Sequence, residues 1–102
     1  MSSMKLQFES YEDGYGSELK CPSCGFNYLN HQRVEVFERS EDEEKGLHVS
    51  VENKNVTTDT NLSDNPSSRR HGLKIHFSCE GCEAKPVLSI SQHKGNTWVD
   101  IN

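Results

Sequence analysis

The chain has little apolar sequence and no long hydrophobic run. Hydrophobic residues make up 31% of its 102 residues, and the mean hydropathy is −0.83. No stretch approaches the roughly 18–20 apolar residues of a membrane-spanning helix, so we predict no membrane partner. The N-terminal segment MSSMKLQFESYEDGYGSE also has no apolar core like that of a secretory signal. We therefore expect a cytoplasmic protein whose thiols stay reduced.

Positive charge is scarce as well. The formal net charge is −5, with 11 Lys and Arg against 16 Asp and Glu. Non-specific duplex binding needs cations to neutralise phosphates, so this balance argues against it. Four cysteines fall below the roughly 8–10% content of a disulfide scaffold. Small domains with a sparse core often need another stabilising element, and the cysteines are the candidates.

The cysteines form two C-x₂-C pairs, CPSC at 21–24 and CEGC at 79–82. Structural zinc binds four thiolates at about 2.3 Å, and one tight C-x₂-C turn supplies two of them. Pro22 favours the first turn, and Gly25 accepts the positive φ that ends it. The second pair has its glycine inside, at Gly81, so we expect a less regular turn. We predict one structural Zn²⁺ bound by Cys21, Cys24, Cys79 and Cys82.

The two pairs lie farther apart than in ordinary zinc sites. Residues 25–78 separate them, whereas the usual spacing is roughly 15–20 residues. The entropy of loop closure grows only logarithmically with length, so the longer connection adds about 1 kcal/mol. Structural zinc contributes about 10–16 kcal/mol in small peptides, and it therefore outweighs the loop.

Other uses of the thiols stay open. A single C-x₂-C pair could form a dithiol redox centre, although no helix follows either pair to favour a thiolate. Four sulfurs in rubredoxin-like knuckles could hold iron. A catalytic zinc keeps one open position, which four cysteines do not leave. His76 could replace one ligand, but a strand would point it away from Cys79.

Alternating apolar residues predict strands beside both pairs. Val34 and Val36 alternate in HQRVEVFER, and Leu73, Ile75 and Phe77 alternate in LKIHFSC. Two further segments carry weaker signals. A brief alternation at Leu6 and Phe8 suggests a short strand, and the polar segment 38–72 suggests an insertion. That insertion is a solvated loop, an arm that binds a partner, or a hairpin of LHVSV and VTTDT with one face formed by Leu47, Val49 and Val51.

A hairpin is predicted at the C-terminal end, where PVLSISQ and TWVDI flank HKGN. If Gly95-Asn96 is a two-residue loop, Ile90 faces Ile101 and His93 faces Trp98. A three-residue loop over 93–95 would instead pair Ile90 with Trp98. We prefer the first register because it gathers the aliphatic residues on one face, namely Leu88, Ile90, Val99 and Ile101.

Side chains that point away from the predicted core are candidates for partner binding. An exposed tryptophan suits base stacking and also the centre of a protein interface, although Trp98 could instead cover the metal cluster. The arginine pair in SSRRHG could contact phosphate or could balance nearby acids. The candidates are Trp98, His93, His76, Lys74, Arg69 and Arg70.

No catalytic pattern is evident. The histidines accompany no nucleophile motif, no phosphate-binding glycine loop and no H-E-x-x-H. The carboxylates cluster as a charge run and not as an isolated pair in an apolar setting. We therefore expect a protein that is not an enzyme and has no small-molecule substrate.

The motifs CPSCG and CEGC, each followed by strand-like sequence, resemble those of the zinc-ribbon group. The stretch FSCEGCEAKPVLSISQHKGNTWV also resembles small uncharacterised zinc-ribbon proteins of bacteria and their phages. The resemblance implies a metal-supported β module, commonly in nucleic-acid or transcription machinery. We therefore predict a single domain over 1–102 with a small, mainly-β, zinc-ribbon-like antiparallel sheet. It carries two Cys knuckles and a long inserted loop or hairpin at 38–72.

The predicted function is a non-enzymatic zinc module that binds another protein, as a regulator or inhibitor carried by a phage or mobile element. A phage-encoded chain would act in the host cytoplasm. One alternative is a zinc ribbon that binds single-stranded nucleic acid through Trp98, His93, Lys74 and the Arg69–Arg70 loop. The other is a rubredoxin-like iron protein or a dithiol redox protein.

Overall fold

The computed structural model describes residues 16–102 and the backbone of residues 7–8. Within these ranges the protein is all-β and contains no helix, so the predicted fold class is confirmed. The strands are β1 (Gln7–Phe8), β2 (Leu19–Lys20), β3 (Leu29–Glu38), β4 (Leu47–Glu52), β5 (Asn55–Asp59), β6 (Gly72–Cys79), β7 (Val87–His93) and β8 (Asn96–Ile101).

Six strands form one antiparallel sheet in the order β5-β4-β3-β6-β7-β8, and β1 pairs with β2 in a separate ladder. The centre of the large sheet is the β3–β6 pair, in which Val34 lies opposite Ile75 and Val36 opposite Leu73. The alternating apolar residues of these strands therefore share one face, as the sequence predicts. A β-bulge between His31 and Arg33 shifts the register near the start of β3.

Aliphatic side chains continue across that face in two rows. Alternation places successive residues of each strand on opposite faces, so paired residues share a face. The first row, from β4 to β8, is Val51, Val34, Ile75, Leu88 and Ile101. The second row is Val49, Val36, Leu73, Ile90 and Val99.

The opposite face combines an aromatic residue with polar ones. Phe37 is fully buried, and its ring stacks on His48 with a centroid separation of 4.5 Å and an interplanar angle of 3°. The segment between β5 and β6 covers part of this face. A Cβ at Gly72 would collide with the side chains of Asn65 and Pro66, so only glycine lets this segment approach β6 so closely.

The insertion contains the hairpin that the sequence suggested. β4 pairs with β3, and β5 pairs with β4, so the hairpin extends the main sheet beyond β3. Its two-residue loop is Asn53-Lys54, with φ values of 52° and 66°, which is the type I′ geometry that suits strand twist. The predicted common face of β4 is also present, since its alternate residues face β3 in register: Leu47, Val49 and Val51.

The predicted register of the C-terminal hairpin is wrong. Its two-residue loop is Lys94-Gly95, closed by a pair between His93 and Asn96. Both loop residues have positive φ, at 52° and 81°, so Lys94, and not Asn96, shares the loop with Gly95. The three-residue alternative is wrong for the same reason.

The corrected register changes partners but keeps the faces. Ser91 lies opposite Trp98, and Ile90 lies opposite Val99. Because the pairing moves by two residues, every side chain stays on the face that was predicted for it. The aliphatic grouping is therefore retained, with its four members Leu88, Ile90, Val99 and Ile101.

The predicted N-terminal strand lies mostly outside the described residues, as does Leu6. The backbone of Gln7–Phe8 forms β1 and pairs antiparallel with Leu19–Lys20. In the described part of the chain, no helix has the length and apolar character needed to cross a membrane.

Candidate metal centre

Antiparallel pairing of β3 with β6 brings the two cysteine pairs together. The first pair precedes β3, and Cys79 ends β6. In an antiparallel pair the start of one strand lies beside the end of the other, and here Leu29 is opposite Cys79. One residue farther, the Glu80 N–H donates to the Tyr28 carbonyl at 3.1 Å. The sheet thus brings the two cysteine pairs together although a long connection separates them in sequence.

The first knuckle is a compact turn held by two backbone hydrogen bonds. The Cys21 N–H donates to the Phe26 carbonyl, and the Gly25 N–H donates to the Cys21 carbonyl, each at 2.8 Å. Gly25 has a φ of 78°, and a Cβ at this position would meet nothing within 4 Å. The need for glycine here is therefore conformational, as the sequence predicts.

The second knuckle is less regular, as expected. The Cys79 N–H donates to the Ala84 carbonyl at 3.3 Å, but no bond equivalent to that of Gly25 occurs within residues 79–84. The Gly81 N–H instead donates to Cys79 Sγ at 3.3 Å. A Cβ at Gly81 would lie 2.7 Å from Cγ of Phe26, so the ring of the first knuckle packs directly on the second.

The four sulfur atoms form one cluster. All four Sγ atoms lie within 4.8 Å of one another, with 3.8 Å between Cys21 and Cys82 and 3.6 Å between Cys24 and Cys79. A tetrahedral ion with bonds of about 2.3 Å separates its sulfurs by about 3.8 Å. A disulfide would require about 2.05 Å, and all four cysteines are free. The donor set and its spacing therefore fit one metal ion.

The thiols of the cluster influence one another's ionisation. Burial raises the pKa of Cys21, but hydrogen bonds from backbone N–H groups and neighbouring thiols outweigh it and lower that pKa to about 7. At Cys24 the Phe26 N–H lowers the pKa, but burial and the other three thiols outweigh it and raise that pKa to about 12. One thiolate thus opposes the formation of the next, and a divalent cation would remove this opposition.

Comparison with models of known protein families, with curated proteins and with solved structures finds no match to this chain. The chemistry of the centre is therefore inferred from its own residues.

His76 does not belong to the sulfur cluster but to a polar network around Glu35. The Glu35 carboxylate, 3% exposed, accepts hydrogen bonds from His76 Nε2 at 2.6 Å and from His48 Nε2 at 3.0 Å. Arg33 Nη2 donates to the same carboxylate at 3.1 Å, and His48 Nδ1 lies 2.9 Å from Asp59 Oδ1. Burial raises the pKa of Glu35, but these hydrogen bonds and the positive charge of Arg33 outweigh it, so the net shift is downward.

This network is the part of the molecule that sequence analysis missed. Glu35 stands between Val34 and Val36, and His48 stands between Leu47 and Val49. Alternation therefore places both on the face opposite those aliphatic residues. Alternation alone assigns such residues to solvent, whereas the structure buries both.

The structure places Trp98 and His93 in one groove. Trp98 is 58% exposed. The groove has a volume of about 300 Å³, and its other lining residues are His93, Pro66, Ser67, Ser68 and Ser91. We call this the Trp98 groove. His93 also borders a small depression beside Arg69 and Arg70, so four of the six predicted partner-binding residues lie close together.

The other two candidates, Lys74 and His76, lie on β6 and outside the Trp98 groove. Lys74 lies opposite Glu35 of β3 on one side and opposite Ser89 of β7 on the other. His76 lines a separate cleft with Arg33 and Lys85. The predicted partner-binding set is therefore divided, since four residues lie around the Trp98 groove and its neighbouring depression, His76 lines the cleft, and Lys74 lines neither.

Proposed function

We propose that the protein is a non-enzymatic module in which four cysteines hold one structural Zn²⁺ and which binds another protein. The convergence of four sulfur atoms within 4.8 Å supports the metal. All-thiolate tetrahedral sets suit zinc or iron–sulfur chemistry, and four protein ligands leave no open position for catalysis. Zinc bound there would hold the start of β3 beside the end of β6.

Metal analysis of the purified protein tests the first half of this proposal. We expect one zinc and no iron per chain after expression in medium that contains both metals. A colourless protein is also expected, since ferric iron in four sulfurs absorbs visible light. Stoichiometric iron, or a chain without metal that retains its sheet, would overturn the zinc assignment.

A rigid wall of the Trp98 groove supports binding to a protein. Ser67 is 3% exposed, and its hydroxyl donates to the Gln92 carbonyl at 2.8 Å and accepts from the Arg70 N–H at 2.9 Å. Arg39 Nη2 donates to the Ser67 carbonyl at 2.9 Å. The segment beside Trp98 is therefore fixed before a partner arrives, which lowers the entropy cost of binding an apolar side chain.

Ion pairs weigh against nucleic acid as the partner of this groove. Arg69 binds Asp42 through two contacts of 2.6 Å, and Arg70 lies 3.5 Å from Glu41. These arginines balance the adjacent acids, so fewer cations are free to neutralise phosphates. An exposed aromatic with a rigid groove and little free positive charge favours a protein surface.

Two matched variants test the protein-binding half. Trp98→Ala and Val56→Ala each remove an exposed hydrophobic side chain, 58% and 65% exposed, at opposite edges of the sheet. We expect a protein captured by the wild-type chain to be captured by Val56→Ala but not by Trp98→Ala. Equal capture by both variants would reject the Trp98 groove.

A fluorescence titration addresses the nucleic-acid alternative. We expect Trp98 emission to stay unchanged when mixed-sequence single strands are added at low salt. Saturable quenching would support the alternative and reject the protein-binding proposal. The role of this chain as a regulator or inhibitor carried by a phage or mobile element stays a prediction from the sequence.

A further inference from the structure

A polar cleft that shares no lining residue with the Trp98 groove lies beside the metal-proximal half of β3 and β6. Its volume is about 520 Å³, within the roughly 300–1,000 Å³ of small-molecule sites. Its lining includes Arg33, Glu52, His76, Phe77 and Lys85. We call it the Arg33 cleft.

Buried Glu35 holds two cleft residues in place. Its carboxylate accepts from Arg33 Nη2 at 3.1 Å and from His76 Nε2 at 2.6 Å, and Arg33 Nε donates to Ser50 Oγ at 2.9 Å. A guanidinium with two fixed nitrogens loses little freedom when its remaining donors bind a ligand. The cleft is therefore preorganised on its β3 and β6 side.

The cleft also has cationic donors without a partner. Within residues 16–102, neither Arg33 Nη1 nor Lys85 Nζ has a hydrogen-bonding or ionic partner. Guanidinium and ammonium groups are the usual protein donors to phosphate oxygens. Phe77 also borders the cleft, which adds an apolar residue to its polar lining.

From this arrangement we propose that the Arg33 cleft binds a small organic phosphate. The phosphate bonds to Arg33 and Lys85, and its organic part contacts Phe77. Two carboxylates oppose an anion here, Glu52 in the lining and Glu35 behind Arg33, so the affinity depends on the free donors of Arg33 and Lys85. The ligand is bound and not converted, so this inference extends the proposed function without requiring an enzyme.

Calorimetric titration of the metal-loaded protein tests the site with three probes. Adenosine monophosphate should bind more tightly than inorganic phosphate, and adenosine, which lacks the phosphate, should not bind. Equal affinity for the first two probes would remove the organic part from the proposal. No binding of either phosphate at millimolar concentrations would overturn the site.

Two charge variants should change the affinity for adenosine monophosphate in opposite directions. Lys85→Gln should weaken adenosine monophosphate binding about tenfold, as expected for a lost charge-assisted hydrogen bond, whereas Glu52→Gln should strengthen it. Lys94→Gln is the matched control, since it removes the same charge from a turn outside the cleft. Equal weakening by Lys85→Gln and Lys94→Gln would show that only net charge matters and would overturn the site. These lysines are exposed, so neither variant endangers folding, and Trp98→Ala should leave the binding unchanged.

Discussion

Cys24 and Cys79 have sulfur atoms 3.6 Å apart although 55 positions separate them in the chain. The pairing of Leu29 with Cys79 provides the link, because it sets the start of β3 beside the end of β6. The cysteine cluster and the middle of the sheet are therefore one structural unit. Loss of either one should weaken the other.

Metal removal should destabilise the whole sheet. We expect a chelator to lower the melting temperature strongly, because structural zinc contributes about 10–16 kcal/mol in small peptides, which is comparable to the whole stability of a domain, about 5–15 kcal/mol. Cys79→Ser should lose the metal and melt like the chelated wild type. Ser78→Ala, next to it in β6, is the control and should keep the metal. A chelated sample that melts at the temperature of the untreated one would contradict this prediction.

The contact between knuckles can be tested at Gly81. Gly81→Ala would place a Cβ 2.7 Å from Phe26 Cγ, and overpacking of this kind costs about 1–3 kcal/mol. Phe26→Ala in the same chain should relieve most of that cost, which a double-mutant cycle in denaturant would measure. Purely additive effects would mean that the Phe26 ring does not set the need for glycine.

Glu35 should make stability depend on pH in acid. Its folded pKa is lowered, so its contribution is complete above about pH 4.5 and is lost as pH falls through the folded value. Glu35→Gln should therefore lack this part of the acid dependence. At neutral pH it should lose on the order of 3 kcal/mol, because it removes the anion from a buried ionic group.

Two comparisons isolate that effect. Acid also releases metal from thiolates, but it does so in both proteins, so the difference between their unfolding curves reports on Glu35. Glu52→Gln makes the same substitution at an exposed glutamate and should change stability by less than about 0.5 kcal/mol. Parallel pH profiles for wild type and Glu35→Gln would contradict the assigned role.

The register of the C-terminal hairpin decides whether asparagine at position 94 stabilises or destabilises the protein. Lys94 has a φ of 52° and precedes Gly95, and Asn-Gly is the preferred pair in a type I′ turn. Lys94→Asn should therefore stabilise the protein by about 0.5 kcal/mol, since asparagine tolerates the left-handed region. Under the register predicted from sequence, position 94 is a strand residue and asparagine there would destabilise. Thermal unfolding distinguishes the two, with Lys45→Asn as a control outside the turn.

Local signals account for what the sequence predicted well. The cysteine spacing identifies the two pairs that converge in the structure without knowledge of the fold, and the alternation around Val34 and Ile75 identifies both central strands. Each signal needs only a few neighbouring residues. The C-terminal register failed because it depends on whether a lysine takes positive φ, which turn preferences alone do not reveal.

The Glu35 network could not be predicted in the same way. Its members Glu35, His48 and His76 lie on three different strands, and their contact requires β4 and β6 to flank β3 on opposite sides. The burial of Glu35 and His48 also depends on what packs on that face, where the segment before β6 approaches Gly72 through Pro66. Both conditions are tertiary, and alternation within one strand contains neither.

The length of β6 has a practical consequence. Cys79 stands at one end of this eight-residue strand, and Gly72, in line with Ser91 and Trp98, stands at the other. At about 3.3 Å per residue the two ends are about 23 Å apart. A cobalt ion placed among the sulfurs would thus serve as a coloured reporter of assembly, remote enough to leave the binding proposed for the tryptophan undisturbed.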